Sequence, residues 1–491
     1  MIAKIIFPIL PELTLFCSAI IILMSDVFLG KKFKNFYKFS YFFALIASVL
    51  AIFLAFNTSI FPRNFFYSMI FTNGFVVFVK ICLTILLLFV IIFSLEYIKR
   101  RQETSAEFLA LILISTVGAL FLISANDFLT LYLSLELQSL PLYLLAAMNK
   151  SSHRSSESGV KYFVLGSTAS GILLLGISLF YGFSGTTNFD AAFNLYTNNP
   201  VPPAVILGFV LIVTALFFKI SAAPFHMWTP DVYQGCNSAV TLFFATISKF
   251  AASLILVRLF LDLSTGFKGM NDILILVAIL SLIVGSIGAI KQTNLKRLLA
   301  YSSIGHIGFV LFGLSAISVE GVQACIIYMA IYAALSITNF GFLTLISRSG
   351  DNKSENDKND DAKYAISSLA GISKKNPILA FCFAVSIFST AGIPPLAGFF
   401  SKFYVIAATI KAGYFASSTI AILFSVISAY YYLKIVKVMY FDKADNSQVR
   451  FYKGLAPKAI MVLFALANIF FILYLKDFAV FIGEILTRFQ D

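Results

Sequence analysis

Apolar residues along the chain fall into fourteen runs of about 20, separated by short polar connectors. The first six runs are 7–29, 39–57, 75–97, 107–125, 128–148 and 160–183. The next four are 204–232, 236–262, 272–290 and 298–316, and the last four are 321–346, 377–410, 417–441 and 457–475. About 20 residues of helix are what a hydrocarbon core roughly 30 Å thick requires. A membrane β-barrel would instead show segments of about ten residues alternating in polarity, and the sequence has none. The pattern predicts an all-α polytopic membrane protein of about 14 transmembrane helices. The first run contains Glu12 and lacks a small-residue cleavage site, so it reads as a retained span rather than a signal peptide.

Two runs, 204–232 and 377–410, are too long for one simple span and contain proline, Pro224 in the first and Pro394 with Pro395 in the second. Proline inside a span frees backbone carbonyls, which protein or a wet cavity must satisfy. Both runs are fourth in a block of five, 107–262 and 272–441. Because five is odd, the two blocks cross the membrane in opposite directions. Broken helices at matching places in two inverted repeats are a transporter layout. The expected organisation is a three-helix segment 1–106, repeats 107–262 and 272–441, and a C-terminal helix and tail 442–491.

Composition agrees with this picture and excludes others. Of 491 residues 59% are apolar and 12% charged, whereas soluble domains carry about a quarter charged residues. A soluble enzyme and a disordered chain are both ruled out. The net charge of +13 invites a nucleic-acid reading, but its distribution argues against one. Of 36 Lys and Arg, 22 lie in the connectors after odd-numbered runs, with Lys458 at the edge of the last run counted among them, and six on the opposite side. That asymmetry is the positive-inside signal. It places both termini on the outer side and assigns the basic excess to topology and anionic lipid. The connector Arg348–Asn376, containing DNKSENDKNDDAK, reads as a flexible linker; Gly182–Pro203 reads as a structured outer cap. Cys17, Cys82, Cys236, Cys325 and Cys382 form no CxxC pair and read as core residues. His153, His226 and His306 lack ligand spacing, so no metal or haem is expected in the chain.

Charges inside the runs need a reason, since a central lysine costs about 2.5–3.5 kcal/mol on insertion scales. Lys80, Arg258, Lys434 and Lys437 lie near run ends, where long side chains snorkel to the interface. Lys161, at the inner end of its run, fits snorkelling or function equally. Lys219 and Lys249 sit near the middles of runs 7 and 8. Glu136 is eight residues into run 5, about 12 Å deep at 1.5 Å per residue. These three could form one line across the midplane; a structural ion pair between Glu136 and one lysine is the alternative. Glu12 and Glu96 are weaker candidates. Lys402 follows the second proline break as Lys219 precedes the first. His306, among small residues at mid-depth, fits a core hydrogen-bonding role as well as a proton relay, and His153 reads as solvated.

The segments LELQSLPLYLLAA, KISAAPFHMWTPDVYQG, NLKRLLAYSSIGHIGF and AGIPPLAGFFSKFYV resemble those of the antiporter-like membrane subunits of respiratory complex I, most closely the subunit N branch. WTPDVYQG favours that branch over the sister subunits M and L. One departure follows it: Cys236–Val240 stands where the family has a proline-containing stretch. The resemblance implies a fourteen-helix, proton-translocating subunit of NADH:quinone oxidoreductase that binds no redox cofactor. NADH, flavin, Fe–S clusters and quinone would then belong to partner subunits. It implies Glu136 as partner of Lys219, Lys249 as the central-axis lysine, Lys402 as the residue near the outer half-channel, and Lys161 as a further lysine near the pair. His306 would join them in one chain of buried groups. The implied partners are subunit M, small membrane subunits and lipid. The implied location is a bacterial inner membrane, with the mitochondrial inner membrane as the alternative. A Mrp-type cation/proton antiporter subunit shares the expected fold and buried lysines and remains the competing assignment.

Overall fold

The computed structural model describes residues 7–30, 36–58, 64–100, 104–149, 151–197, 200–263, 269–348, 363–443, 449–451 and 454–490. The helices of the first half are α1 (Leu10–Ser25), α2 (Phe36–Asn57), α3 (Gly74–Arg100), α4 (Ser105–Ser124), α5 (Phe128–Ala146), α6 (His153–Ser184), α7 (Phe189–Thr197), α8 (Pro203–Ile220), α9 (Trp228–Gly235), α10 (Ser238–Phe243) and α11 (Lys249–Leu263). In the second half they are α12 (Met270–Ile290), α13 (Leu295–Leu314), α14 (Val319–Leu345), α15 (Ile372–Lys375), α16 (Pro377–Ala391), α17 (Ala397–Lys411), α18 (Phe415–Tyr440) and α19 (Leu455–Gln490). Thirteen helical segments are long and apolar enough to cross a membrane. The remaining expected span is the interrupted pair α16–α17, which completes fourteen.

Both proline-containing runs are broken where the sequence places the interruption. Helix α8 stops at Ile220 because Ser221 turns left-handed (φ 67°), and the chain resumes as α9 after Pro224. Helix α16 stops at Ala391 before Gly392 (φ 89°) and resumes as α17 after Pro394 and Pro395. A third irregularity was not expected: a π-turn, Phe244–Ser248, joins α10 to α11 immediately before Lys249. Several helix starts carry a side-chain cap. Asp127 accepts from Leu129 and Thr130 at the start of α5, and Asn294 accepts from Lys296 and Arg297 at the start of α13.

Small residues set the helix spacing. A side chain at Gly118 of α4 would strike the α5 backbone at Gln138, 2.4 Å away, and one at Gly285 of α12 would strike α13 at Gly305, also 2.4 Å. These two close approaches join the first and second helices of the two five-span blocks. The eighth span (α10–α11) is wholly enclosed and α13 and α14 nearly so, whereas α1, α6 and α19 present most of their surface outward. The apolar outer faces, Phe42, Phe53 and Phe56 among them, suit acyl chains.

Several sequence-based expectations need correction. Lys80 does not snorkel: it is fully buried and ion-paired with Glu12 at 2.6 Å, between α1 and α3. Arg258 does not snorkel either. It is buried and donates to Ile123 O (3.0 Å), Ala125 O (2.8 Å) and Asn126 Oδ1 (2.7 Å), stapling the α4–α5 turn. Lys434 and Lys437 are exposed, as snorkelling requires. Cys17 is exposed on the outer face, not in the core; Cys236, Cys325 and Cys382 are buried. The cap 182–203 is built as expected around α7. Within the connector Arg348–Asn376, residues 349–362 lie outside the described residues. Lys363–Asn376, by contrast, is folded, with a 3-10 turn at Ile366–Leu369 and α15. Strands β1 (Asn64–Phe65) and β2 (Ile70–Phe71) form a small antiparallel hairpin. The edge just before the connector, β3 (Ile346–Arg348), pairs antiparallel with β4 (Val449–Phe451). Lys4, Arg63 and Lys268, three of the six outer-side basic residues, lie outside the described residues. The C-terminal run continues as a single helix to Gln490, with no separate tail among the described residues.

Candidate functional site

Three of the buried cations stand at irregular points of the backbone. Lys219 lies in the last turn of α8, Lys249 directly follows the π-turn, and Lys402 lies in the second turn of α17. Helix breaks leave carbonyls without intrahelical donors. Lys402 meets this need directly: its Nζ donates to Ala391 O, the last residue of α16, at 2.9 Å. A side chain at Gly392 would press on Lys402 Cδ at 3.1 Å, which together with its positive φ explains glycine there. At the first break Trp228 Nε1 donates to Phe218 O at 3.0 Å.

Lys219 is 6% exposed and donates to Ser139 Oγ at 2.5 Å and Tyr162 OH at 3.2 Å. Glu136 accepts instead from Ser170 Oγ. Glu136 and Lys219 therefore share no direct ion pair. Ser139, three residues after Glu136 on α5, accepts from Lys219 and donates in turn to Leu135 O. Lys249 is 1% exposed, donates to Ser303 Oγ at 2.6 Å, and lies 5.5 Å from the centre of the Tyr233 ring. Three residues beyond Ser303 on α13, His306 is held at both nitrogens. Nδ1 meets Tyr328 OH at 2.7 Å, and Nε2 meets Tyr432 OH at 3.2 Å. Tyr432 OH also meets Ser302 Oγ at 2.5 Å. Lys402 donates to Ser425 Oγ at 3.1 Å. It shares with His306, Ser302 and Tyr432 a small cavity of about 20 Å³, enough for one water.

The structure thus brings Lys249, His306 and Lys402 around α13, and places Lys219 beside Ser139 near Glu136. Among the described residues no hydrogen bond joins Lys219 to Lys249. Lys161 is set apart: it is 41% exposed and paired with Glu157 (2.5 Å) and Asp231 (2.8 Å). Asp231 also binds Arg297 at 2.6 Å. This cluster lines a polar cleft of about 160 Å³ at the end of the bundle that carries the basic connectors. Among the described residues no three His, Cys, Asp or Glu side chains gather as metal ligands.

Sequence reasoning missed the hydroxyl groups Ser139, Ser170, Tyr162, Ser303, Tyr328 and Tyr432. Only two left a signal, Ser139 and Ser303, each one helical turn from a singled-out residue. It also counted Lys296 with the solvated connectors, although the side chain is 1% exposed.

A membrane bundle with two matched helix breaks and lysines buried beside them is a transporter-type architecture. The chain belongs to the family described as NADH:quinone oxidoreductase/Mrp antiporter, TM, whose family model matches residues 125–428. It is 48% identical over 359 residues to NADH-quinone oxidoreductase subunit N of Paramagnetospirillum magneticum, an alignment covering 71% of each chain. Among solved structures it resembles a chain of respiratory complex I from Thermus thermophilus with bound Aureothin, with a TM-score of 0.77 and 29% identity. That match covers 94% of this chain and 97% of the other. A chain of the Mrp complex from Dietzia sp. shares the fold, with a TM-score of 0.79, 19% identity and coverage of 99% and 97%.

Proposed function

We propose that this chain is a proton-carrying, non-redox membrane subunit of NADH:quinone oxidoreductase, coupling quinone reduction in partner subunits to proton transfer along Glu136, Lys219, Lys249, His306 and Lys402. The observation that carries the reading is the bonding of the three lysines. Each is buried, yet each binds hydroxyl or carbonyl oxygens rather than a carboxylate. A lysine held for structure alone gains more from a carboxylate partner, as Lys80 does from Glu12. A lysine held by neutral oxygens can pass its proton on without stranding an anion in the bilayer.

Glu136 acts on Lys219 by its charge, and Ser139 of the same helix holds the lysine, so a shift of α5 changes the lysine's proton affinity without making or breaking an ion pair. Lys249, Ser303 and the His306–Tyr432 pair then lead toward Lys402, which releases the proton on the side opposite the basic connectors. Residues 107–262 and 272–441 act as the two half-units, one holding Lys219 and Lys249 and the other His306 and Lys402. Lys161, with Asp231 and Arg297, forms the approach from the basic end. The excess of Lys and Arg in the connectors at that end supports assigning it to the cytoplasmic face of a bacterial inner membrane, with both termini outside. Sister antiporter-like subunits, small membrane subunits and lipid are the partners; the NADH, flavin, Fe–S and quinone sites lie in other subunits.

The shared fold favours one rival, a Mrp-type cation/proton antiporter subunit. NADH-driven vesicle acidification in sodium-free medium separates the two. Acidification that is undiminished without Na⁺ supports the proton-pumping assignment. A Na⁺ requirement, or transport persisting when the dehydrogenase partner is absent, supports the antiporter.

A further inference from the structure

Among the cationic side chains outside that line or beside it, Lys80, Arg258, Lys161 and Lys296 differ in how they are held. Lys80 has a carboxylate. Arg258 has three oxygen acceptors and cannot deprotonate, which marks it as structural. Lys161 is half open to the cleft. Lys296 is the exception: it is 1% exposed, and of its three N–H groups one reaches an acceptor, Cys236 O at 2.8 Å. Its remaining neighbour is the Tyr364 ring, whose centre lies 4.1 Å from Nζ. Its ammonium is thus held by one carbonyl and one ring face, with two N–H groups left for a further acceptor.

Lys296 lies in the first turn of α13, at the end of the bundle that carries the basic connectors. Ser303, the hydrogen-bond partner of Lys249, is seven residues further on the same helix. Seven residues are two turns, so both side chains share one face, about 10 Å apart along the axis. The acceptor of Lys296 is the carbonyl of the turn between α9 and α10, the turn at which the family's proline-containing stretch is replaced by Cys236–Val240. Tyr364, on the folded part of the long connector, closes the end of this track, and its OH meets Ser238 Oγ at 2.6 Å. The titratable groups facing Lys296 are the Cys236 thiol, Tyr364 and Lys363, whose Nζ lies 5.1 Å from the same Tyr364 ring. Arg297, its neighbour on α13, turns away to Asp231.

We propose that Lys296 is the proton-loading residue of the basic-end half of the route, receiving a proton beneath Tyr364 and passing it along α13 by way of Ser303 to Lys249. The balance is simple: the Lys296 ammonium loses one proton, the Lys249 amine gains it, and Lys296 is reprotonated from the basic end. This inference rests on the proton-route reading above.

The test uses the intact complex in sealed membrane vesicles, with assembly checked on the same sample. Lys296→Gln keeps a donor for Cys236 O and cannot carry a proton. It is expected to lower NADH-driven proton uptake and NADH oxidation together by about tenfold or more. Lys296→Ala opens space for small alkylamines, and rescue by amines of matched size is expected to grade with their basicity. Wild-type pumping in Lys296→Gln, or rescue that follows amine size alone, would overturn the proposal and leave Lys296 as a positioning residue for the α9–α10 turn. Lys219→Ala run in parallel separates the two readings. If it pumps normally, the route itself fails; if it is impaired while Lys296→Gln pumps normally, only the assignment of Lys296 fails.

Discussion

Ser139→Ala removes one oxygen, an acceptor that holds the Lys219 ammonium. Lys219 Nζ has two hydrogen-bond acceptors, Ser139 Oγ at 2.5 Å and Tyr162 OH at 3.2 Å, and the shorter is lost. Hydrogen bonds to charged groups contribute about 1.5–3 kcal/mol, a factor of about 10 to 150 in the population of the protonated, correctly held lysine. A proton moved against about 200 mV requires about 4.6 kcal/mol. The lost bond is therefore about one-third to two-thirds of what each transfer needs, enough to slow the stroke severely without abolishing it. Ser139→Thr keeps the hydroxyl and serves as the control. The assay is NADH-driven proton uptake in sealed vesicles, with NADH oxidation and complex assembly measured on the same preparation. The expected result is a fall of about ten- to a hundredfold for alanine, with threonine near wild type. Unchanged uptake in an assembled Ser139→Ala complex would refute the idea that this hydroxyl helps set the proton held by Lys219.

Other expectations follow from the same geometry. Glu12→Gln strands the Lys80 ammonium in the interior and should destabilise the α1–α3 contact by about 3–5 kcal/mol, read as a lower melting temperature of the complex. The double variant Glu12→Leu with Lys80→Met should restore much of it. Arg258→Lys loses the fork that reaches three oxygens on the α4–α5 turn and should reduce assembly, seen as less complex on native gels with normal specific activity in what remains. Tyr432→Phe removes the hydroxyl shared by His306 and Ser302 and should slow pumping without affecting assembly.

What the sequence discloses about this fold depends on whether a feature is local. Apolar runs set by the bilayer thickness make the spans readable, and prolines beside left-handed residues make both breaks readable, because each is decided within a few residues. Lys219, Lys249 and Lys402 stand out because charge in the middle of a run is costly wherever it points. Lys80 and Arg258 were misplaced by the same depth rule. Distance from a run end measures how far a side chain must reach for water, but says nothing of Glu12 or the carbonyls of Ile123 and Ala125 waiting beside it. Lys296 was hidden in the opposite way: it sits among connector residues, and only the folding of Tyr364 over it takes it from water. The other hydroxyl partners, Ser170, Tyr162, Tyr328 and Tyr432, could not be found, since serine and tyrosine are frequent in this chain and only the folded packing selects them. The π-turn before Lys249 likewise has no proline or glycine to announce it.

The central claim is that buried lysines of this chain carry protons, and Lys219→Ala tests it most directly. The measurement is NADH-driven proton uptake in membranes carrying that variant, with assembly verified on the same sample. The account predicts an assembled complex that pumps little, with NADH oxidation falling alongside it. An assembled complex that pumps at the wild-type rate would contradict the account and reduce Lys219 to a packing residue beside a broken helix.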